Sequence, residues 1–166
     1  MEYLLGLGSN LGDRYRHLVD ALVDLKSLGI VQSVASIYLT PPLISSDYHG
    51  PTPNSYLNTA CVLKSELEPV ELLKKLLAIE NNHGRVRNPQ QRWLSRTLDI
   101  DILGELGGLM IDCQELKVPH PELSRRDFVL NPLSEIAPNF SILDPMSPKH
   151  RLTVIQMLLS LRSSIR

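Results

Sequence analysis

The chain has 166 residues, 43% of them hydrophobic and 21% charged, with a formal net charge of −1 at pH 7. That is one domain's length with enough apolar content for a core, and so small a net charge excludes a global field favouring nucleic acid or an anionic membrane. No apolar run approaches the ~20 residues that cross a bilayer, and Met1-Glu2-Tyr3-Leu4-Leu5-Gly6 lacks the basic segment of a secretory signal, so a soluble cytoplasmic protein is expected.

Tyr3 to Leu7 reads as a short buried strand, and Gly8 to Asp13 as a turn whose Asp13 caps the next helix. That helix runs from about Arg14 to Leu28, with Tyr15, Leu18, Leu22 and Leu25 as its inner stripe. Ile30 to Leu39 reads as a strand. Thr40 to Asn54 is a long loop with four prolines, a length uncommon without a function. Tyr56 to Ser65 is the next strand. Pro69 suits the first turn of a helix over Val70 to His83, stopped by Gly84.

Arg85 to Ser95 is polar and irregular, and an apolar strand follows to about Leu103. Gly104 to Lys117 suggests short strands or turns. Pro121 to Arg126 and Phe128 to Ile136 read as short helical pieces interrupted by Pro132, and Leu152 to Leu161 as a closing amphipathic helix. Cys61 and Cys113 read best as idle or buried thiols, with a disulfide or a reactive thiol as the lesser readings. The order β, α, β, β, α, β predicts an α+β fold. It has a ferredoxin-like split βαβ core, a largely antiparallel sheet and helices on both faces, in a single domain spanning 1–166. A doubly wound sheet fits worse, because only a loop joins the second and third strands.

Arg96-Thr97-Leu98-Asp99-Ile100-Asp101-Ile102-Leu103 carries the most chemistry. In a strand, residues two apart share a face. Asp99 and Asp101 then project together, while Leu98, Ile100 and Ile102 point into a core. Two neighbouring carboxylates repel unless a cation lies between them, and for hard oxygen ligands beside phosphates that cation is Mg²⁺. The plainer alternative is two solvent-facing acids on a half-exposed strand. Arg85, Arg87, Arg92 and Arg96 precede the pair, and guanidinium groups beside carboxylates suggest a polyphosphate held by both. The loop that carries them reads as a lid or, more plainly, as a solvated basic loop. Glu80 is placed to orient a loop arginine, or is an ordinary helix-face acid.

The glycines of Gly6-Leu7-Gly8-Ser9-Asn10-Leu11-Gly12 have the wrong spacing for a dinucleotide fold, and no P-loop exists, so a structural turn is expected. Tyr56 and Asn58 share a strand face, and the Asn amide suits the edge of a flat heterocycle. Phe128 could stack on such a ring. His120, in Val118-Pro119-His120-Pro121, could donate to a phosphate or satisfy a local carbonyl. The remaining histidines show no zinc-ligand spacing.

Seven segments, in order, resemble the 6-hydroxymethyl-7,8-dihydropterin pyrophosphokinases of folate biosynthesis. They are Gly8-Ser9-Asn10-Leu11-Gly12, Thr40-Pro41-Pro42-Leu43, Tyr56-Leu57-Asn58, Gly84-Arg85-Val86-Arg87, Arg96-Thr97-Leu98-Asp99-Ile100-Asp101, Val118-Pro119-His120 and Phe128-Val129-Leu130. The resemblance runs from about Tyr3 to Pro138. It implies pyrophosphate transfer from ATP to the pterin's hydroxymethyl oxygen, leaving AMP, with two Mg²⁺ at Asp99 and Asp101. It implies pterin contacts at Thr40, Pro42, Leu43, Tyr56, Asn58, Trp93 and Phe128. Nucleotide contacts carry over to Glu80, Arg85, Arg87, Arg96, His120 and Arg126, with Arg85, Arg87, Arg96, Asp99 and Asp101 as the catalytic set. Leu94 stands where the family usually has Gly or Ala, and Leu103 to Met110 departs from the usual run. The family commonly acts as a monomer, and neither nucleic acid nor membrane is an expected partner. Two rival functions compete: a ferredoxin-like RNA-binding module, disfavoured by an aromatic content of only 5%, and another Mg²⁺-dependent nucleotide phosphotransferase using the same acids.

Overall fold

The computed structural model of the chain describes residues 1–42, 52–85 and 95–163. Its main sheet contains β1 (Glu2–Ser9), β2 (Ile30–Val34), β3 (Tyr38–Thr40), β4 (Tyr56–Lys64) and β5 (Asp99–Glu105). The strand order is β2-β4-β1-β5, with every pair antiparallel and β3 pairing the other half of β4's outer edge. The parallel strands β1 and β2 thus flank β4, and β4 and β5 flank β1. This is the split βαβ arrangement expected from the sequence.

Helices α1 (Arg14–Asp24) and α2 (Pro69–Asn82) cover one face of the sheet. Leu5, Leu7, Cys61, Leu63, Ile100 and Ile102 pack there against Leu18, Leu25, Leu72, Leu76 and Ile79. Helices α3 (Asp127–Ile136) and α4 (Val154–Ser163) cover the other. Leu4, Ala60, Val62 and Leu103 pack there against Leu130, Leu133, Val154 and Met157. Alternation along β1, β4 and β5 therefore feeds two cores, as period-two side chains must. Asp13 caps α1 by accepting the Arg16 N–H at 3.1 Å. Proline at the start of α2 sacrifices an N–H that has no helical partner anyway.

Several elements differ from the sequence expectation. Tyr15 is 62% exposed; the inward side chains are Leu18 and Ala21 on α1, Leu22 packed at their edge, and Leu25 just beyond its end. At about 100° per residue, Tyr15 falls on the flank opposite Ala21, beyond the edge of the buried arc. The 30–39 strand is broken: Ala35 leaves the β2 line, its N–H donating to Ala60 O at 2.8 Å, before β3 resumes at Tyr38. Pro132 sits inside a continuous α3, where it removes a single intrahelical bond. A hairpin of β8 (Ser141–Asp144) and β9 (Ser147–Thr153) precedes α4, so Leu152 and Thr153 are strand and not helix. A small hairpin of β6 (Ile111–Asp112) and β7 (Lys117–Val118) fills the region after β5.

Candidate active site

β1 runs between the two strands that carry the site. Gly8 pairs with Asn58 on β4 and with Asp99 on β5, and Gly6 pairs with Ala60 and Asp101. Two cross-strand rows result, Asn58–Gly8–Asp99 and Ala60–Gly6–Asp101. Over them lies a cavity of about 360 Å³, lined also by Thr40, Pro42, Tyr56, Arg96, Arg126 and Phe128. The glycines are the floor. A Cβ on Gly8 would lie 2.7 Å from Asn58 Oδ1, so only glycine lets the Asn58 amide lie across the strand. Gly6 lies in the expected strand, and Gly8 is a strand residue too, not part of the turn expected from Gly8 onward. The chain turns only after Ser9.

The carboxylates emerge together on this face, and Leu98, Ile100 and Ile102 are buried against α1 and α2. Arginines hold both oxygens of Asp99. Arg85 Nη1 approaches Oδ1 at 2.5 Å and Arg96 Nη1 donates to Oδ2 at 2.7 Å. Arg85 also pairs with Glu80. Glu80 is 1% exposed and accepts the Ile100 N–H at 2.7 Å. A carboxylate so enclosed offers no surface to a nucleotide, so the direct ATP contact implied by resemblance is corrected. Glu80 orients Arg85 and anchors β5. Burial opposes the charge of Arg96, but Asp99, with Tyr56 and Asp101, outweighs it and the pKa of Arg96 is raised.

Asp101 is less neutralised. Among the described residues its ion-pair partner is Arg126, 3.9 Å away. Desolvation in the cavity, reinforced by the Asp99 charge, pushes its carboxyl up to about 6. Two-fifths of the side chain still meets solvent; the concave site admits waters without providing bulk hydration. The Arg126 guanidinium also lies over the Phe128 ring, 5.8 Å from its centroid. The Asn58 amide donates to Thr40 Oγ1 at 2.7 Å, which fixes its orientation and leaves Oδ1 and one N–H for a ligand. His120 does not line this cavity. It borders a second one of about 170 Å³ near β8. Its Nδ1 accepts the Glu122 N–H at 3.1 Å, so the neutral ring carries its proton on Nε2. Burial, and then the Arg126 charge, lower its pKa.

Thr40, Pro42, Tyr56, Asn58, Arg96, Asp99, Asp101, Arg126 and Phe128 are thus gathered on one cavity, with Arg85 joined to it through Asp99. Leu43, Arg87 and Trp93 lie outside the described residues, as do Arg92 and Leu94.

Residues 4–138 match the model of the 7,8-dihydro-6-hydroxymethylpterin-pyrophosphokinase family. The chain belongs to that family. It is 38% identical over 157 residues to the 2-amino-4-hydroxy-6-hydroxymethyldihydropteridine pyrophosphokinase of a Synechocystis strain, covering 93% of this chain and 73% of the relative. It is 39% identical over 141 residues to the pyrophosphokinase of Pseudomonas aeruginosa, covering 84% and 83%. It is also 36% identical to the Dictyostelium discoideum folic acid synthesis protein FOL1, covering 95% of this chain and only 22% of that longer protein. Among solved structures, the Plasmodium falciparum HPPK-DHPS crystallised with pterin and p-hydroxybenzoate superposes with a TM-score of 0.70 at 16% identity, covering 99% of this chain and 43% of that one. At that identity the likeness speaks for the fold alone. Membership of the pyrophosphokinase family disfavours both the RNA-binding module and a different phosphotransferase.

In this chain the sequence reading missed Gly6, Gly8 and Asn10 as parts of the site. Asn10 is fully buried. Its side chain accepts the Arg96 N–H at 2.7 Å and lies 3.3 Å from both Asn54 O and Ser95 Oγ. A Gly-x-Gly alternation running into the β1 strand was the available signal for a side-chain-free strand face.

Proposed function

We propose that this chain transfers pyrophosphate from ATP to the hydroxymethyl oxygen of 6-hydroxymethyl-7,8-dihydropterin, releasing AMP and the pterin diphosphate, a step of tetrahydrofolate biosynthesis. The observation that carries this reading is the pair of rows across three strands. One cavity floor bears an oriented Asn amide, two glycines and two carboxylates, with Phe128 and two arginines on the walls. Thr40, Pro42, Tyr56, Asn58 and Phe128 suit a flat, amide-edged ring. Arg85, Arg96 and Arg126 suit the phosphates, and Leu43, Arg87 and Trp93 are assigned to the same two groups from the family resemblance. His120, which borders the neighbouring cavity, is assigned as a further phosphate donor through Nε2–H from the family resemblance alone.

The donor set fits Mg²⁺. Among the described residues, no three His, Cys, Asp or Glu side chains converge on one point, which suits an ion held by one or two carboxylates and completed by substrate phosphates. Asp99 and Asp101 would hold two such ions, which supply charge neutralisation to the polyphosphate. Asp99 is already satisfied by guanidinium groups, so nucleotide binding exchanges partners: the arginines move from carboxylate to phosphate. The protein's own work is positioning and electrostatics, with the hydroxymethyl oxygen in line with the departing AMP. We further propose that residues 1–166 act as one domain, as a cytoplasmic monomer without a nucleic-acid partner. Among the described residues no helix is long and apolar enough to cross a membrane.

The test is chromatographic. AMP should form from Mg-ATP only when hydroxymethyldihydropterin is present. AMP release without pterin, or ADP as the product, would reject the reading.

A further inference from the structure

Two walls of the substrate cavity come from different elements. One is the end of β3 with the residues after it, Thr40 to Pro42. The other is the first turn of α3, with Phe128 and Val129. About two turns further along α3 stands Glu135, outside the cavity and exposed to solvent. Its carboxylate reaches the break between β2 and β3. Oε2 accepts the Ser36 backbone N–H at 2.8 Å, and Oε1 accepts the Tyr38 hydroxyl in a short bond. The Ser36 side chain also bonds to it. These donors, the Ser36 N–H first, hold the Glu135 carboxyl below its ordinary range.

The consequences run directly into the site. Tyr38 pairs with Asn58 across β3 and β4, and Thr40 of the same short strand receives the Asn58 amide bond. β3 has only three residues and follows a break in the sheet edge, so its own ladder holds it weakly. One ionised side chain on α3 collects the donors at its root. We propose that Glu135 is a positioning residue for the pterin pocket. It sets the distance between the β3 wall, through Ser36 and Tyr38, and the α3 wall that carries Phe128. The inference rests on the pterin reading above. Charge-assisted bonds at an exposed site add little to global stability, but a ring gripped from two sides is sensitive to shifts well under 1 Å.

Glu135→Ala should raise the KM for hydroxymethyldihydropterin about tenfold, with the KM for ATP and the saturated kcat changed less than about twofold. Tyr38→Phe should give a smaller pterin effect. The double variant should be no worse than Glu135→Ala alone, because both remove one linkage. Glu135→Gln keeps an acceptor for the Ser36 N–H and should recover most of the affinity. An unchanged pterin KM in Glu135→Ala would overturn the proposal, as would pterin and ATP constants rising together. If the unmodified protein gives no pterin-dependent AMP, the functional reading itself fails and this inference with it.

Discussion

Asn10 grips the peptide of Arg96 from both sides. Its backbone N–H donates to the Arg96 carbonyl at 3.1 Å, and its side-chain oxygen accepts the Arg96 N–H at 2.7 Å. The residues are far apart in the chain, yet the clasp decides where the Arg96 guanidinium starts its reach to Asp99. Asn10→Ala takes the side-chain acceptor from the part-buried Arg96 N–H, which should cost about 1 kcal/mol in a urea melt. It should also lower kcat, since of the two Asn10 bonds that place the Arg96 backbone only the one from the Asn10 N–H to the Arg96 carbonyl then remains. Asn10→Asp keeps the acceptor but loses the donors to Asn54 and Ser95, and should fall between. Unchanged kcat in Asn10→Ala would show that the clasp does not position Arg96.

Much of this molecule is legible in its sequence, for reasons that differ by residue. The facing of Asp99 and Asp101 follows from strand periodicity, because the alternating Leu and Ile side chains leave only one side for the acids. The strand order follows from the succession of elements. What could not be read depends on partners distant in sequence. Gly8 looks like a turn residue until Asn58 is known to lie across it. Glu80 reads as an orienter of a loop arginine or as an ordinary helix-face acid, and its pair with Arg85 fits the first; that the Ile100 N–H also closes on it is a long-range contact that helical periodicity does not reveal. The β8–β9 hairpin escaped because Ser141 to Thr153 is polar and short, and its pairing depends on Phe140 and Ile142 packing beneath α3 and α4.

Asp101 predicts a pH-dependent cost of the empty site. Its carboxyl titrates near 3.8 when unperturbed and at about 6 in the fold. Between those values the folded protein holds a proton that the unfolded chain releases. Metal-free stability therefore falls as pH rises from about 4 to 6 and does not return above. Asn at this position cannot ionise. Asp101→Asn should raise the metal-free melting temperature at pH 7.5 and give a much smaller gain at pH 4.5, while abolishing turnover. Equal gains at both pH values would remove the desolvated carboxylate as the cause.

Glu80 separates anchoring from charge. Glu80→Ala orphans the Ile100 N–H and takes one carboxylate from Arg85, so a loss of about 2–4 kcal/mol is expected in chemical denaturation. Glu80→Gln still accepts from Ile100 through its amide oxygen and should keep most of that stability. It no longer holds Arg85 by charge, so kcat should fall several-fold with little change in pterin affinity. A Gln variant as unstable as the Ala variant would mean that the ion pair, and not the backbone bond, anchors the strand.

Gly8→Ala tests the floor of the cavity without removing any functional group. The new methyl would lie 2.7 Å from Asn58 Oδ1, closer than carbon and oxygen tolerate, and 3.7 Å from the Tyr56 ring. β1 is held by ladders on both edges, to β4 and to β5, so the backbone has little freedom to move. The yielding group is the Asn58 side chain, which can rotate only by breaking its 2.7 Å bond to Thr40. The amide then swings into the space proposed for the pterin edge. The expected result is a pterin affinity at least about tenfold weaker by calorimetry, with Mg-ATP affinity and the melting temperature close to those of the parent. Asn58→Ala in the same background should restore the space but not the recognition, so adding it to Gly8→Ala should produce no further loss. If Gly8→Ala instead weakened ATP and pterin equally, the methyl would be distorting the Asp99 row, and the Asn58–Gly8 contact would not be the determinant of pterin binding.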